Sequence, residues 1–143
     1  MAVGSGLLDT STVILLSRLA DPALLPDRPL ISAVTLAELS VGPLVATSEP
    51  QRAARLAHLQ QAEADFDPLP FDAEAARVFG RVAASLRRAG RQPAARAYDA
   101  MIAATAIANG LALYTCNPGD FAAIDGLTVI GIAHPDEARA AAP

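Results

Sequence analysis

The chain has 143 residues, 52% hydrophobic but only 4% aromatic, with a formal charge of −4. That length suits one domain with an aliphatic, alanine-rich core, and the charge excludes a protein that coats nucleic acid by bulk positive charge. No apolar run approaches the ~20 residues of a membrane span, and no basic stretch leads into an apolar run as in a secretory signal. Cys116 is the single cysteine, so no internal disulfide can form and a reducing, cytoplasmic setting is expected.

In chain order, Gly6-Leu7-Leu8 reads as the end of a short buried strand and 13–19 as a helix. Asp9 then falls at a strand-to-helix turn. It suits an N-cap, but Thr10, Ser11 and Thr12 can cap as well, which leaves Asp9 available for another role. A proline-punctuated loop runs from Asp21 to Pro29, and 30–34 reads as a second strand. Thr35-Leu36-Ala37-Glu38 fits a capping box, with Thr35 at the N-cap and Glu38 reaching back. Whether or not it caps, Glu38 follows a strand, as Asp9 does.

That helix is expected to end near Gly42-Pro43, and 51–65 reads as another, with Leu56, Leu59 and alanines on its buried face. Phe66 to Phe71 is a short extended piece whose prolines suit a sheet edge. Asp72 should cap a helix to about Ala89, with Ala76, Phe79, Val82, Ala83 and Leu86 inward. From Tyr98 to Asn109 the chain is alanine-rich and lacks a polar stripe after Asp99, so this helix should be buried on most sides and stopped by Gly110. Asp99 near its N-terminus is favoured by the helix dipole, yet a carboxylate in crowded surroundings also calls for a partner or a cation.

The stretch 111–115 is a strand, Cys116-Asn117-Pro118-Gly119-Asp120-Phe121 a tight turn, and 127–132 a last strand. Residues 1–133 form the expected domain and 134–143 a flexible tail. His58 and His134 read as surface or packing groups. The alternation of strands and helices indicates an α/β fold with a mostly parallel central sheet flanked by helices. Ligands of such sheets bind beyond the carboxyl ends of the strands, where Asp9, Glu38 and Asp120 would lie and which Asp99 could reach.

Four acids with no lysine nearby repel one another unless they bind a cation. Oxygen donors suit hard divalent ions, Mg2+ or Mn2+, and such ions activate water for phosphodiester cleavage. Thr10, Ser11, Thr115 and Asn117 could orient the ligands or the water. Every basic residue is arginine, and six of the eleven lie between Arg77 and Arg96 without an intervening acid. Arg77, Arg81, Arg87 and Arg88 could contact RNA phosphates, or simply form a solvated face. The lack of lysine excludes a P-loop, and it removes the usual countercharge of aspartyl-phosphate enzymes and receiver domains.

Leu7-Leu8-Asp9-Thr10-Ser11, Ile31-Ser32 with Thr35-Leu36-Ala37-Glu38-Leu39 and Gly42, Asp99-Ala100-Met101-Ile102-Ala103-Ala104-Thr105-Ala106, and Leu113-Tyr114-Thr115-Cys116-Asn117-Pro118-Gly119-Asp120-Phe121 resemble, in this order, the motifs of the PIN-domain ribonucleases, and among them the VapC-type toxins. The resemblance spans positions 7 to about 132. It implies a single PIN-like domain, an endoribonuclease dependent on Mg2+ or Mn2+, a homodimer, and a cognate antitoxin that blocks the acidic site. By the same resemblance Asp9 and Asp99 are the metal ligands, Glu38 and Asp120 complete the set directly or through water, and Thr115 and Asn117 are the polar pair of the fourth motif. Cys116 stands where such proteins often carry arginine, and Gly119 where the residue is often basic. The alternatives are a non-cleaving protein of this fold that binds RNA or the antitoxin, and a metal-dependent DNA nuclease or phosphatase.

Overall fold

The computed structural model describes residues 4–19, 21–94 and 96–137. Four strands, β1 (Ser5–Leu8), β2 (Arg28–Leu30), β3 (Ala112–Thr115) and β4 (Val129–Gly131), form one parallel sheet in the order β2-β1-β3-β4. The helices are α1 (Thr10–Leu15), α2 (Ala33–Val41), α3 (Glu49–Asp65), α4 (Ala73–Arg88) and α5 (Ala97–Ala108). From β1 the chain moves outward to β2, then returns to the other side of β1 as β3. This reversal opens a crevice beyond the carboxyl ends of β1 and β3.

Successive side chains of a strand face opposite sides of the sheet, and Leu7 and Leu8, both fully buried, serve two cores. Leu7 packs with Leu113, Val78, Val82 and Leu86 of α4, and Ile102 and Ala106 of α5. Leu8 packs with Val13 of α1, Ile31, Leu39 of α2 and Ala62 of α3. The helices thus cover both faces of the sheet. Gly6 admits the ring of Tyr114 on the adjacent strand: a Cβ there would stand 2.6 Å from Tyr114 Cδ1.

Several boundaries differ from the sequence reading for physical reasons. α1 starts at Thr10 because Asp9 itself caps it, accepting from Thr12 N; the neighbouring hydroxyls do not take over that role. The second strand is shorter and earlier than 30–34, because Ser32 caps α2 and diverts the chain into helix at Ala33. Ser32 accepts from Thr35 N at 3.1 Å, so Thr35 is not the N-cap and no capping box forms. The proline-bearing segment after α3 touches the sheet side through one parallel bridge, Ser32 with Leu69. Ala62 is the buried residue of α3, whereas Leu56 is exposed. α4 is rotated from its expected face: Ala75, Val78 and Ser85 join Val82 and Leu86 inside, and Ala76 is exposed.

α5 behaves as its composition demands. Ala100, Ile102, Ala103, Ala104, Thr105 and Ala106 are buried, and Gly110 takes φ 65° to end the helix. Of the expected tail, residues 138–143 lie outside the described residues, while Asp136 pairs with Arg18 at 2.6 Å. Among the described residues no helix is long and apolar enough to cross a membrane.

Candidate active site

Asp9, Glu38, Asp99 and Asp120 line a single cleft of about 230 Å³ at the crevice between β1 and β3, together with Thr10, Ser11, Ile14 and Asn117. Each acid arrives from a different element. Asp9 follows β1, Glu38 sits on α2, Asp99 lies in the first turn of α5, and Asp120 closes the 3-10 turn Pro118–Asp120 after β3. Among the described residues no group of three or more acidic, imidazole or thiol side chains is placed so that it could hold a metal ion; the four acids line an open cleft.

Asp9 is the most constrained, 4% exposed. Its Oδ1 accepts from Thr12 N at 3.1 Å and from Thr12 Oγ1. Its Oδ2 accepts from Ser11 Oγ at 3.0 Å and Thr115 Oγ1 at 2.7 Å. Four donors therefore meet the roughly four acceptor positions of a carboxylate. The expected polar partners support one another: Asn117 N donates to Thr115 Oγ1 at 2.9 Å, and Asn117 Nδ2 donates to Ser11 Oγ at 3.0 Å. Cys116 N donates to Thr12 Oγ1 at 3.2 Å, while its thiol is buried and pushed above its ordinary pKa by that burial.

Glu38 is free of any capping duty. Thr10 Oγ1 donates to Glu38 Oε1 at 2.7 Å and lies 3.0 Å from Thr35 Oγ1, so hydroxyls run from the start of α2 to the Glu38 carboxylate. Burial raises the Glu38 pKa, the Thr10 hydrogen bond opposes that rise, and the Asp9 charge adds to it. Asp99 is pushed up to about 6, first by burial and then by Asp120, Glu38 and Asp9, against the pull of Arg96. The acids thus feel one another's charge, as like charges sharing a site must.

Arg96 is a site residue that its place in the arginine-rich stretch does not reveal. It immediately precedes α5, and its Nη1 lies 2.9 Å from Asp120 Oδ1 and 4.0 Å from Asp99 Oδ2. Its pKa is raised chiefly by the Asp120 hydrogen bond. The sequence signal was the i, i+3 spacing from Arg96 to Asp99 at a helix start. Arg91 reaches the same turn, donating to Gly119 O at 3.1 Å.

The four arginines expected to meet RNA lie on α4 and none lines the acidic cleft. Arg77 pairs with Glu74 at 3.2 Å and Arg88 with Asp125 at 2.8 Å. Arg81 and Arg87 are exposed, and among the described residues neither makes a salt bridge. His58 lines a small cavity that also includes Thr10, Ile14 and Glu38, and His134 lies by Asp136.

The PIN domain family matches residues 7–127, a span that contains all four acids. The chain belongs to the PIN domain family. Within it, the chain is similar to Ribonuclease VapC5 of Mycobacterium tuberculosis, 43% identical over 130 residues, covering 90% of this chain and 93% of that protein. It is also similar to Ribonuclease VapC1 of Rickettsia felis, 33% identical over 106 residues, covering 74% of this chain and 78% of that protein. Among solved structures, VapBC-5 of M. tuberculosis, a member of the VapBC family of toxin-antitoxin systems, superposes with TM-score 0.76 at 40% identity, covering 90% of this chain and 99% of that one. DNA-bound VapBC of Salmonella typhimurium gives TM-score 0.66 at 28% identity, covering 90% and 97%.

Proposed function

We propose that this chain is an endoribonuclease dependent on Mg2+ or Mn2+, the toxin of a VapC-type toxin–antitoxin pair. The observation that carries the chemistry is the convergence of Asp9, Glu38, Asp99 and Asp120 on one cleft at the topological switch of the sheet. The reading of RNA as substrate and of the chain as a toxin is supported by its similarity to the VapC ribonucleases and to VapBC-5.

By its chemistry, and not by its present spacing, the donor set suits a hard divalent ion. Four carboxylates line the cleft, and among the described residues no thiol or imidazole does. The raised pKa values of Asp99 and Glu38 mark charge that a cation would neutralise. We assign Asp9 and Asp99 as ligands, with Glu38 and Asp120 completing the set. Asp9 already accepts four hydrogen bonds, so ligation there would replace its most exposed donor, the Ser11 hydroxyl. Bound in the cleft, the ion would supply a water of lowered pKa and neutralise charge on the leaving oxygen. The chain's own part is positional. Thr12 and Thr115 hold Asp9, Thr10 aims Glu38, and Asn117 holds Ser11.

A protein partner is supported by the surface. Val41, Leu44, Val45 and Leu56 are exposed on α2, the turn Gly42–Val45 and α3, with Leu44 85% accessible, and Leu44 and Leu56 line one depression beside Glu49 and Arg52. Exposed apolar side chains gathered in this way suit an association surface. We assign the partners as a cognate antitoxin and a second copy of the chain.

The deciding experiment is cleavage of a tRNA mixture with Mg2+, with Mn2+ and with EDTA, comparing the antitoxin-free protein with Asp99→Asn. Metal-dependent cutting that disappears in the variant supports the nuclease reading. Equal cutting by both proteins, or none by folded protein on RNA, DNA or small phosphate esters, overturns it. DNA or ester cleavage in place of RNA cleavage would move the substrate to the rival class.

A further inference from the structure

The four acids are not held alike. Asp9 is fixed by two threonines, a serine and a backbone N–H, and Glu38 by Thr10. Asp99 and Asp120 receive no such hydroxyl; what faces them is the Arg96 guanidinium, 2.9 Å from Asp120 and 4.0 Å from Asp99. Among the described residues, no other cation lies within salt-bridge distance of any of the four acids. The cleft therefore has a hydroxyl-lined half and a half already served by a positive charge of the chain itself.

We propose that Arg96 is a resident counter-cation of the acidic site. It occupies the Asp99–Asp120 side, yields those oxygens when a divalent ion binds, and is then the guanidinium at the cleft mouth that meets the RNA phosphate. This inference rests on the reading of the acids as a metal site. Three arguments support it. A guanidinium and a divalent ion compete for the same carboxylate oxygens and repel one another, so they do not share Asp120 without cost. The Arg96 side chain is also one-third exposed, at 34%, so it can swing outward without opening the core. Arginine's flat fork suits both partners in turn, carboxylate and phosphate.

A merely structural role for Arg96 predicts that its removal weakens metal binding, because Asp99 and α5 would lose support. A resident counter-cation predicts the opposite sign. The test is calorimetric titration of Mn2+ into wild type, Arg96→Gln and Asp99→Asn, with thermal unfolding of each as a check on folding. We expect Arg96→Gln to bind Mn2+ about three- to five-fold more tightly, the scale of one exposed charge pair, while its kcat/KM on RNA falls. Unchanged or weaker Mn2+ binding by folded Arg96→Gln overturns the inference. A second measurement uses the wild-type protein alone: the 15N resonance of Arg96 Nε during Mg2+ titration. A shift that saturates with metal binding supports displacement, and a static resonance refutes it. The two levels separate cleanly. If Asp99→Asn binds Mn2+ as wild type does, the metal reading fails together with the inference. If Asp99→Asn loses binding and Arg96→Gln gains none, the inference alone fails.

Discussion

Thr115 Oγ1 donates to Asp9 Oδ2 at 2.7 Å, joining residues 106 positions apart. Asp9 directly follows β1 and Thr115 ends β3, so one hydroxyl ties the two strand ends at the crevice. The same oxygen accepts from Asn117 N, and the turn that carries Asp120 is thereby hung from Asp9. Thr115→Val keeps the shape and deletes both bonds. We expect a loss of about 1–3 kcal/mol in urea unfolding, since Asp9 Oδ2 and the Asn117 N–H each lose a buried partner. RNA cleavage should fall by about 10-fold or more, the usual scale for a group that orients a metal ligand. Thr115→Ser, which retains the hydroxyl, should recover most of both; a Thr115→Val protein as active as wild type would remove this hydroxyl from the site.

Glu38 and Ser32 offer a sharper separation of fold from chemistry. Ser32 is the cap of α2, so Ser32→Ala should cost about 1 kcal/mol of stability. Glu38 caps nothing, and burial already penalises its charge. Glu38→Gln is therefore expected to fold at least as stably as wild type in metal-free buffer while losing metal-dependent cleavage. Chemical denaturation of both variants, paired with Mn2+ titration, checks the contrast. A Glu38→Gln protein as destabilised as Ser32→Ala would restore the capping-box role.

The fold was legible because its signals are local and mutually consistent. Asp72 before α4, Gly110 after α5 and the polar run after Leu8 all mark element ends by backbone chemistry that needs no tertiary context. The errors came from competition between neighbours. Ser32 and Thr35 can each cap a helix; Ser32 does so here, flanked by the backbone bonds of Ile31 and Ala33 to Leu69, a contact distant in sequence. The inward face of α4 was misjudged by about one position because alanines on both sides make the stripe broad. The convergence of the four acids on one cleft was legible in part, because Asp9 and Asp120 follow strands and Asp99 opens a helix, whereas Glu38 lies in the second turn of α2 and not in its first, since the helix starts at Ala33. Arg96 was not singled out: its i, i+3 spacing to Asp99 is readable, but its closer contact, with Asp120, depends on where the turn Pro118–Asp120 places that acid.

Asp99 sets the sign of a pH effect. Its folded pKa is raised from 3.8 to about 6 by burial and by the other acids. An acid whose pKa rises on folding binds its proton more tightly in the native state, so stability falls as pH rises between those values. Metal-free wild type should therefore lose Tm as pH rises from about 4 to about 6.5, and Asp99→Asn should lose less across the same window. Mn2+ should raise Tm at pH 7.5 in wild type, as any ligand of the native state does, and much less in Asp99→Asn. Thermal scans at several pH values, with and without Mn2+, test both. Parallel curves for the two proteins would mean that Asp99 carries no strained charge.

The arginines of α4 remain to be weighed against solvent. Arg88 is held by Asp125 at 2.8 Å, which reduces what it can offer a phosphate, whereas exposed Arg87 makes no salt bridge among the described residues. The pair Arg87→Ala/Arg88→Ala is expected to weaken RNA binding and flatten its dependence on salt. Each phosphate contact on a single strand contributes a slope of about 0.7 in log–log form, so losing Arg87 alone accounts for about that much. Loss of both contacts would approach twice it, and the Asp125 pair predicts a value nearer the single contact. Anisotropy of a labelled RNA across a salt series reads the slope directly, with Arg77→Ala as a control already paired to Glu74 at 3.2 Å. An unchanged slope in the double variant would assign this face of α4 to solvent and leave Arg91 and Arg96, beside the acidic cleft, as the positive groups nearest the substrate.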